Sequence, residues 1–146
     1  TTRLVGSEMC IRDSLHLFNS CGELYLQKRP AWKDIQPGRW DTAVGGHVDW
    51  GEEPLAALRR EVREEVGVTD FEPQHVLTYL FESERERELV YVYKTVYDGP
   101  VVPSGELDGG RFWTLREIAE GVGGGIFTPN FEGEIRRVAE LPDVGR

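Results

Sequence analysis

Hydrophobic and polar positions alternate along several short segments of the chain, and this pattern predicts strands mixed with helices. Alternation with a period of two is typical of half-buried strands, and spacings of three and four residues are typical of helices that cover a core. Strand patterns occupy six segments: 16–19, 24–28, 40–44, 76–82, 89–97 and 112–113. Helical patterns occupy three segments: one that begins at Pro54, then 115–120 and 130–141. We therefore expect an α/β (α+β) fold, with a mixed sheet and helices on both of its sides.

The helix predicted from Pro54 has an apolar face. Proline is tolerated at the first helical position, and Gly67 is predicted to end the helix. Between them, four apolar residues recur at spacings of three, four and four: Leu55, Leu58, Val62 and Val66. We expect this stripe to face the core.

The same helix carries an acidic face. Glu61, Glu64 and Glu65 stand at positions i, i+3 and i+4, so their carboxylates are expected to converge beside the apolar stripe. Such residues form either the solvated side of an amphipathic helix or a site for a hard cation, because Mg²⁺ and Mn²⁺ take oxygen ligands and bridge to phosphates. Gly46 has no side chain and would let the backbone approach the ion, which makes its carbonyl oxygen a further candidate ligand.

Length and charge limit the classes of function. The chain has 146 residues, a size typical of one domain with one substantial core. A net charge of -9 argues against binding of a nucleic acid polymer, which depends on dense Lys and Arg. The sequence contains no apolar run as long as the roughly 18 residues that a membrane span needs, so we expect no membrane partner and a cytoplasmic location.

The segment from Gly46 to Val68 reads Gly, five residues, Glu52, seven residues, and then Arg-Glu-Val-Arg-Glu-Glu-Val-Gly-Val. It resembles the Nudix box, Gx5Ex7REUxEExGU, at every defined position. The resemblance extends over residues 15–138 and implies an alpha/beta/alpha sandwich. It also implies a hydrolase, a diphosphatase that uses Mg²⁺ or Mn²⁺ to cleave a diphosphate linkage in a nucleotide derivative or another small organic diphosphate. Water would attack at phosphorus.

The resemblance also implies roles for individual residues of the box. Glu61, Glu64 and Glu65 would bind the metal ion, and one of them would help to deprotonate the attacking water, with Glu61 and Glu64 as the catalytic candidates. Arg60 would form an ion pair that orients the glutamates. Its expected partner is Glu52, which would contribute to metal binding through water.

A closer resemblance within this family gives an alternative function. Residues 26–29, 37–41 and 45–47 resemble the branch of Nudix proteins related to isopentenyl diphosphate isomerase. His47, Glu86 and Glu88 would match metal ligands of that enzyme and are further candidate ligands. Equally, residues 83–88 alternate in charge like an ordinary solvated hairpin tip, and a single histidine often only hydrogen-bonds locally.

The residue that precedes the Gly-His pair separates these two functions. The isomerase has a catalytic cysteine there, whereas this chain has Gly45, and neither Cys10 nor Cys21 is near it in sequence. The missing thiol and the complete hydrolase box favour hydrolysis. A non-catalytic nucleotide-sensing module is a second alternative, although a sensor does not need the full set of glutamates.

Basic and aromatic residues outside the box are candidates for substrate binding. Lys28 and Arg29 follow a predicted strand and could face phosphates, or they could simply be a solvated strand end. Trp50 lies inside the box and could stack on the substrate, whereas Trp40 is expected in the core. The expected partner is a small-molecule diphosphate, and the family resemblance adds a homodimer.

The amino-terminal residues fit the pattern poorly. Residues 7–14 do not match the strand and lead-in that would be expected there, and they resemble translated adapter sequence. We interpret residues 1–14 as a non-native or disordered segment and residues 15–146 as a single Nudix hydrolase domain.

Overall fold

The computed structural model describes residues 9–32, 36–82, 84, 87–105 and 108–145. Within these residues the chain forms seven strands and three helices. In chain order they are β1 (Met9–Phe18), β2 (Leu24–Lys28), β3 (Trp40–Thr42), β4 (Val44–His47), α1 (Pro54–Val66), β5 (Gln74–Glu82), β6 (Arg87–Val96), β7 (Gly110–Trp113), α2 (Leu115–Gly121) and α3 (Pro129–Val138). No helix in these described ranges is long and apolar enough to cross a membrane.

The strands belong to one mixed sheet. Its main order is β3-β2-β1-β6-β5, while β4 pairs with β1 and β7 pairs with β2. The pair of β1 and β6 is parallel, and the remaining pairs are antiparallel. Strand β1 therefore lies at the centre of the sheet, with β4 on one part of its length and β6 along all of it.

Helices cover both faces of this sheet. Successive side chains of a strand point to opposite faces, so Tyr25 of β2 lies on one face and Leu24 and Leu26 on the other. Tyr25 packs in one cluster with Leu58 and Val62 of α1. Leu24 and Leu26 pack in a second cluster with residues of α2 and α3, namely Ile118, Phe131 and Ile135. The predicted alpha/beta/alpha sandwich is confirmed.

Helix α1 begins and ends where the sequence predicts. It starts at Pro54, and Gly67 follows it in the left-handed conformation with φ 70°, which glycine adopts readily. The predicted apolar stripe is wrong at one position, because Leu55 is 47% exposed. The buried residues of α1 lie in two rows, Ala57–Glu61 and Leu58–Val62–Val66, and Leu55 lies outside both rows.

Strand β1 is longer than the sequence predicted. It begins at Met9, so residues 9–14 form its first part, whereas the sequence analysis predicted a strand only from His16. Arg12 and Asp13 interrupt the apolar pattern, yet Asp13 is fully buried between β4 and β6. The non-native origin of residues 1–14 stays a prediction, and residues 1–8 lie outside the described chain.

Candidate active site

Helix α1 presses the carboxylate of Glu61 against the backbone of Gly46. Glu61 is only 4% exposed. A Cβ atom placed on Gly46 would overlap this carboxylate, since it would lie 2.7 Å from Oε1 and nearer still to Cδ and Oε2. A side chain at position 46 would therefore displace the Glu61 carboxylate from its place against the strand.

Asp13 completes this contact, and the sequence analysis did not identify it. It is fully buried on β1, directly opposite Gly46 of β4. Its carboxyl group lies beside that of Glu61, and no hydrogen bond of ordinary geometry reaches either Asp13 oxygen or Oε1 of Glu61. No local pattern could identify Asp13, because only the pairing of β1 with β4 brings it to the box.

Burial makes this pair of carboxyl groups difficult to ionise. Loss of solvent raises the pKa of Glu61, and the neighbouring Asp13 raises it further. Burial also raises the pKa of Asp13, against lowering contributions from Glu61, the Gly46 backbone and the guanidinium groups of Arg12 and Arg60. The pair must therefore hold a proton or be neutralised by a cation.

Glu65 lies one helical turn beyond Glu61 and belongs to the same cluster. Burial raises the pKa of Glu65 to about 7, with a further contribution from the charge of Asp13 and an opposing hydrogen bond from the Gly45 backbone. Glu65 thus contacts the residue that precedes Gly46 in β4. The two glutamates at i and i+4 flank the Gly45–Gly46 segment.

Glu64 does not join this buried cluster. Its side chain is 57% exposed, and its Oε1 lies 3.4 Å from Nη1 of Arg60. The predicted convergence of three glutamates is correct for Glu61 and Glu65 only. The reason is helical geometry, because rows 57–61 and 58–62–66 face the sheet and position 64 points away from it.

The expected ion pair between Arg60 and Glu52 is present. Arg60 donates two hydrogen bonds to the carboxylate, from Nε to Oε2 at 3.1 Å and from Nη2 to Oε1 at 3.2 Å. These bonds hold the pKa of Glu52 below its usual range. The same guanidinium lies 3.8 Å from Oε2 of Glu61. Arg60 therefore links the loop before α1 to the buried cluster, and its orienting role stays a prediction.

The cluster is compatible with a hard cation, although it is not a complete ligand set. Among the described residues, no group of three or more His, Cys, Asp and Glu side chains is arranged to hold a metal ion. Mg²⁺ commonly takes only one or two carboxylates and completes its shell with waters and substrate phosphates. Asp13 and Glu61 supply two adjacent buried carboxyl groups with oxygens that have no hydrogen-bond partner, and Glu65 lies beside them.

A polar cavity of about 310 Å³ adjoins the cluster. Gly45, Gly46 and His47 form one side of it, and Arg12 and Arg29 contribute positive charge. The cavity therefore meets the carboxylate cluster at the two glycines. Asp41 and Glu134 line it as well, so the charged groups of the cavity are of both signs.

The candidate substrate residues lie in three different places. Arg29 lines the cavity, and its Nη1 lies 3.8 Å from Oδ2 of Asp41. Lys28 places its Nζ over the ring of Trp40, 5.9 Å from the ring centroid. Trp50 is 77% exposed and borders a separate groove that includes Ile11. The roles of these residues in binding stay predictions.

The further candidate metal ligands, His47, Glu86 and Glu88, are not brought together at one place by the described residues. His47 is exposed at the cavity. Glu88 is 9% exposed, and its Oε1 lies 3.3 Å from Nε of Arg12, so its charge already has a cationic partner. Glu86 lies outside the described residues.

A buried glutamate on α3 forms a second network, which the sequence analysis also missed. Glu134 is 3% exposed, and its Oε1 accepts hydrogen bonds from Ser14 at 2.7 Å and from Nε2 of His16 at 3.0 Å. Its Oε2 accepts from the hydroxyl group of Tyr79 at 2.6 Å. Burial alone would raise the pKa of Glu134, but these hydrogen bonds and the nearby His16 hold it below its usual range. Glu134 looked like an ordinary polar position of an amphipathic helix, because its partners lie on distant strands.

The chain matches a known family over most of its length. The family model described as the NUDIX domain matches residues 12–131. This range contains α1, β4, Asp13 and the cavity residues of β2.

Curated relatives include both hydrolases and isomerases. An uncharacterized Nudix hydrolase of Pseudomonas aeruginosa is 36% identical over 97 residues, which cover 66% of this chain and 57% of the relative. An isopentenyl-diphosphate Delta-isomerase of Serratia proteamaculans is 31% identical over 112 residues, covering 73% of this chain and 61% of that protein. The chain thus spans about three fifths of the length of these relatives.

Solved structures share the fold. A protein of Deinococcus radiodurans has a TM-score of 0.75 at 24% identity, over 88% of this chain and 82% of its own. A MutT Nudix hydrolase of Burkholderia pseudomallei has a TM-score of 0.74 at 18% identity, over 90% of this chain and 98% of its own. With the family match and the complete box on α1, these similarities establish that the chain belongs to the Nudix family.

Proposed function

We propose that the protein hydrolyses a diphosphate linkage in a nucleotide derivative or another small organic diphosphate, with Mg²⁺ or Mn²⁺ as the cofactor. The observation that carries this proposal is the contact of the buried Glu61–Asp13 pair with Gly46, a glycine that also lines the polar cavity. A substrate with its diphosphate in this cavity would bring a negatively charged group directly to the carboxylate cluster.

The residues of the cluster would have different roles in the reaction. Glu61, Asp13 and Glu65 would hold the metal ion, with the Gly46 carbonyl as a further ligand. When bound, the ion would lower the pKa of the attacking water and neutralise charge on the diphosphate. Glu64 stays in contact with solvent and is the candidate to accept the proton of the water molecule.

The basic residues around the cluster would orient its groups. Arg60 would fix the direction of Glu61 through its bonds to Glu52 on one side and its approach to Glu61 on the other. Arg29 and His47 would face the phosphates from the cavity wall.

Isomerisation of a prenyl diphosphate is the second candidate, and the curated isomerase relatives favour it. The position of the thiol argues against it. Ser14 of β1 is the residue opposite Gly45, whereas Cys10 lies opposite Glu88 on β6, and Cys21 lies in the exposed turn between β1 and β2. An isomerase that acts here would need a different residue to donate the proton, because Gly45 has no side chain.

Incubation of the purified protein with Mg²⁺ or Mn²⁺ and a panel of diphosphates tests these functions against one another. The panel contains nucleoside diphosphate derivatives, dinucleotides and isopentenyl diphosphate, and mass spectrometry identifies the products. Metal-dependent cleavage supports hydrolysis, and a rearranged prenyl diphosphate supports isomerisation. Binding without turnover supports the nucleotide-sensing alternative.

Two further expectations from the sequence belong to this proposal. A homodimer would be detected by light scattering of the purified protein. A cytoplasmic location would be tested by fractionating cells that produce the full-length protein.

A further inference from the structure

A largely apolar groove of about 240 Å³ lies between β5 and α3. Its walls include Leu77, Tyr79 and Phe81 on the strand, and Pro129 and Gly133 on the helix. Phe81 is 44% exposed there. Large apolar side chains left uncovered at a concave surface commonly mark a binding site.

We propose that this groove binds the organic group of the substrate, and that this group is a hydrocarbon-rich alkyl or aryl unit. The inference rests on the proposed function, because it assumes that the diphosphate occupies the polar cavity beside Gly46. It narrows the substrate class to small apolar organic diphosphates.

The groove and the polar cavity adjoin at two residues. Asn130 and Glu134 line both of them. Oε2 of Glu134 accepts from Tyr79, which lines the groove, and Oε1 accepts from Ser14, which lines the cavity. A ligand that extends past Glu134 would therefore have its diphosphate on one side and its organic group on the other.

The chemistry of the groove favours hydrocarbon over a polar group. The hydroxyl group of Tyr79 is already bonded to Glu134, and the Glu134 carboxylate accepts three hydrogen bonds within the protein. Two of the polar groups at the junction, Tyr79 and Glu134, are thus satisfied by the fold. Apart from the exposed Arg137, the walls beyond the junction present mainly carbon. Burial of each methylene group there should tighten binding about fourfold.

Gly133 offers a direct test of this groove. A Cβ atom at this position would meet no atom within 4 Å, so a larger side chain fits the fold and occupies the groove. Glycine is also unfavourable inside a helix, so Gly133→Leu should fold at least as well as the wild type. Gly133→Ala is the matched control, because it removes the glycine but adds only one methyl group.

The probes are methylenediphosphonate, its methyl and butyl esters, and α,β-methylene ADP, measured by calorimetry with Mg²⁺. Each compound has a methylene bridge in place of the bridging oxygen of a diphosphate, so calorimetry measures binding without turnover. The butyl ester should bind wild type tens of times more tightly than the methyl ester, and more tightly than the nucleotide analogue. Gly133→Leu should remove most of the extra affinity for the butyl ester, whereas Gly133→Ala should remove little of it. The affinity for bare methylenediphosphonate should change less in Gly133→Leu than the affinity for the butyl ester does.

Each of the following results would overturn the inference. The first is equal affinity for the butyl and methyl esters. The second is an equal loss for the butyl ester and for bare methylenediphosphonate in Gly133→Leu, or tighter binding of the nucleotide analogue. The third is a changed molecular mass of the Gly133→Leu protein in solution while its preference for the butyl ester over the methyl ester is unchanged. The groove would then bind another copy of the chain. Absence of turnover with preserved ester discrimination would instead contradict the proposed hydrolysis alone.

Discussion

Gly46 and Glu61 are in such close contact that the carboxylate can keep its place against the strand only if position 46 has no side chain. The contact forces a buried carboxyl group against the backbone of β4, where Asp13 lies beside it. A glycine and a glutamate that are separate in the family pattern are therefore one structural unit. Gly46 also lines the polar cavity, so the unit lies next to that cavity, although its carboxylates do not line it.

Substitution of Gly46 should damage the site more than substitution of its neighbour. The Cβ atom of Gly46→Ala would overlap the Glu61 carboxylate, whereas that of Gly45→Ala would lie at an ordinary 3.8 Å from the Asp13 carbonyl oxygen. We expect Gly46→Ala to lower kcat/KM by at least about tenfold, equivalent to ~1.4 kcal/mol, and Gly45→Ala to lower it less. Steady-state kinetics of both variants measure this difference, and equal losses would show that the contact does not matter.

The paired hydrogen bonds between Arg60 and Glu52 should be important for activity rather than for stability. Lysine keeps the charge of Arg60 but cannot form both bonds in the plane of the carboxylate. We expect Arg60→Lys to lower kcat about tenfold with little change of Tm, because the pair is solvated. Arg63→Lys makes the same change at an exposed position of the same helix and should have little effect. Similar kcat values for the two variants would exclude the orienting role.

Replacement of one carboxyl group of the buried pair should stabilise the metal-free protein, because the wild-type pair must take up a proton when no cation is bound. Glu61→Gln replaces a buried carboxyl group by an amide that can donate a hydrogen bond to Asp13. We expect this variant to have a higher Tm than the wild type in EDTA. Mg²⁺ should raise the Tm of the wild type by binding only its folded state, and it should raise that of Glu61→Gln much less. A lower Tm of Glu61→Gln in EDTA would indicate that the charged pair stabilises the fold without metal.

The network of Glu134 should give a dependence of stability on pH. Its pKa is held below the unfolded value, so its contribution is present above about pH 4.3 and is lost as the pH falls through the folded pKa. Ser14 and His16 face it from β1 and Tyr79 from β5. At neutral pH we expect Glu134→Gln to lower the free energy of unfolding by about 2 kcal/mol.

Urea denaturation between pH 3 and pH 7 tests this dependence. The difference in free energy of unfolding between the wild type and Glu134→Gln should shrink as the pH decreases below the unfolded pKa of glutamate. A difference that stays constant over this range would show that ionisation of Glu134 does not contribute.

The elements set by local patterns were predictable from the sequence. Pro54 and Gly67 define the ends of α1 by their own backbone preferences, and the alternation of apolar residues predicted two long strands at 76–82 and 89–97, which the structure pairs as β5 and β6. The mixed sheet with helices on both faces followed from the order of these elements. The residues of the box lie close together in sequence, so one continuous segment determines most of their relative positions.

The residues that the sequence did not reveal act across long separations. Asp13 reaches Glu61 only because β1 pairs with β4. The charge of Asp13 interrupts the apolar pattern, so this part of β1 was not predicted as a strand. Glu134 reaches His16 and Tyr79 only because α3 packs on the sheet. The separation of Glu64 from the cluster also depends on how α1 is rotated against the sheet, which the i, i+3, i+4 spacing does not determine.

Turnover by Glu65→Gln tests the central claim most directly. Glu65 lies in the buried cluster, and Glu53→Gln is a matched control at the exposed residue before α1, whose side chain makes no capping bond. With Mg²⁺ or Mn²⁺, we predict metal-dependent cleavage of a diphosphate by the wild type, an approximately 100-fold lower rate for Glu65→Gln and a nearly unchanged rate for Glu53→Gln. Cleavage by Glu65→Gln at the wild-type rate, or cleavage that persists in EDTA, would contradict the account.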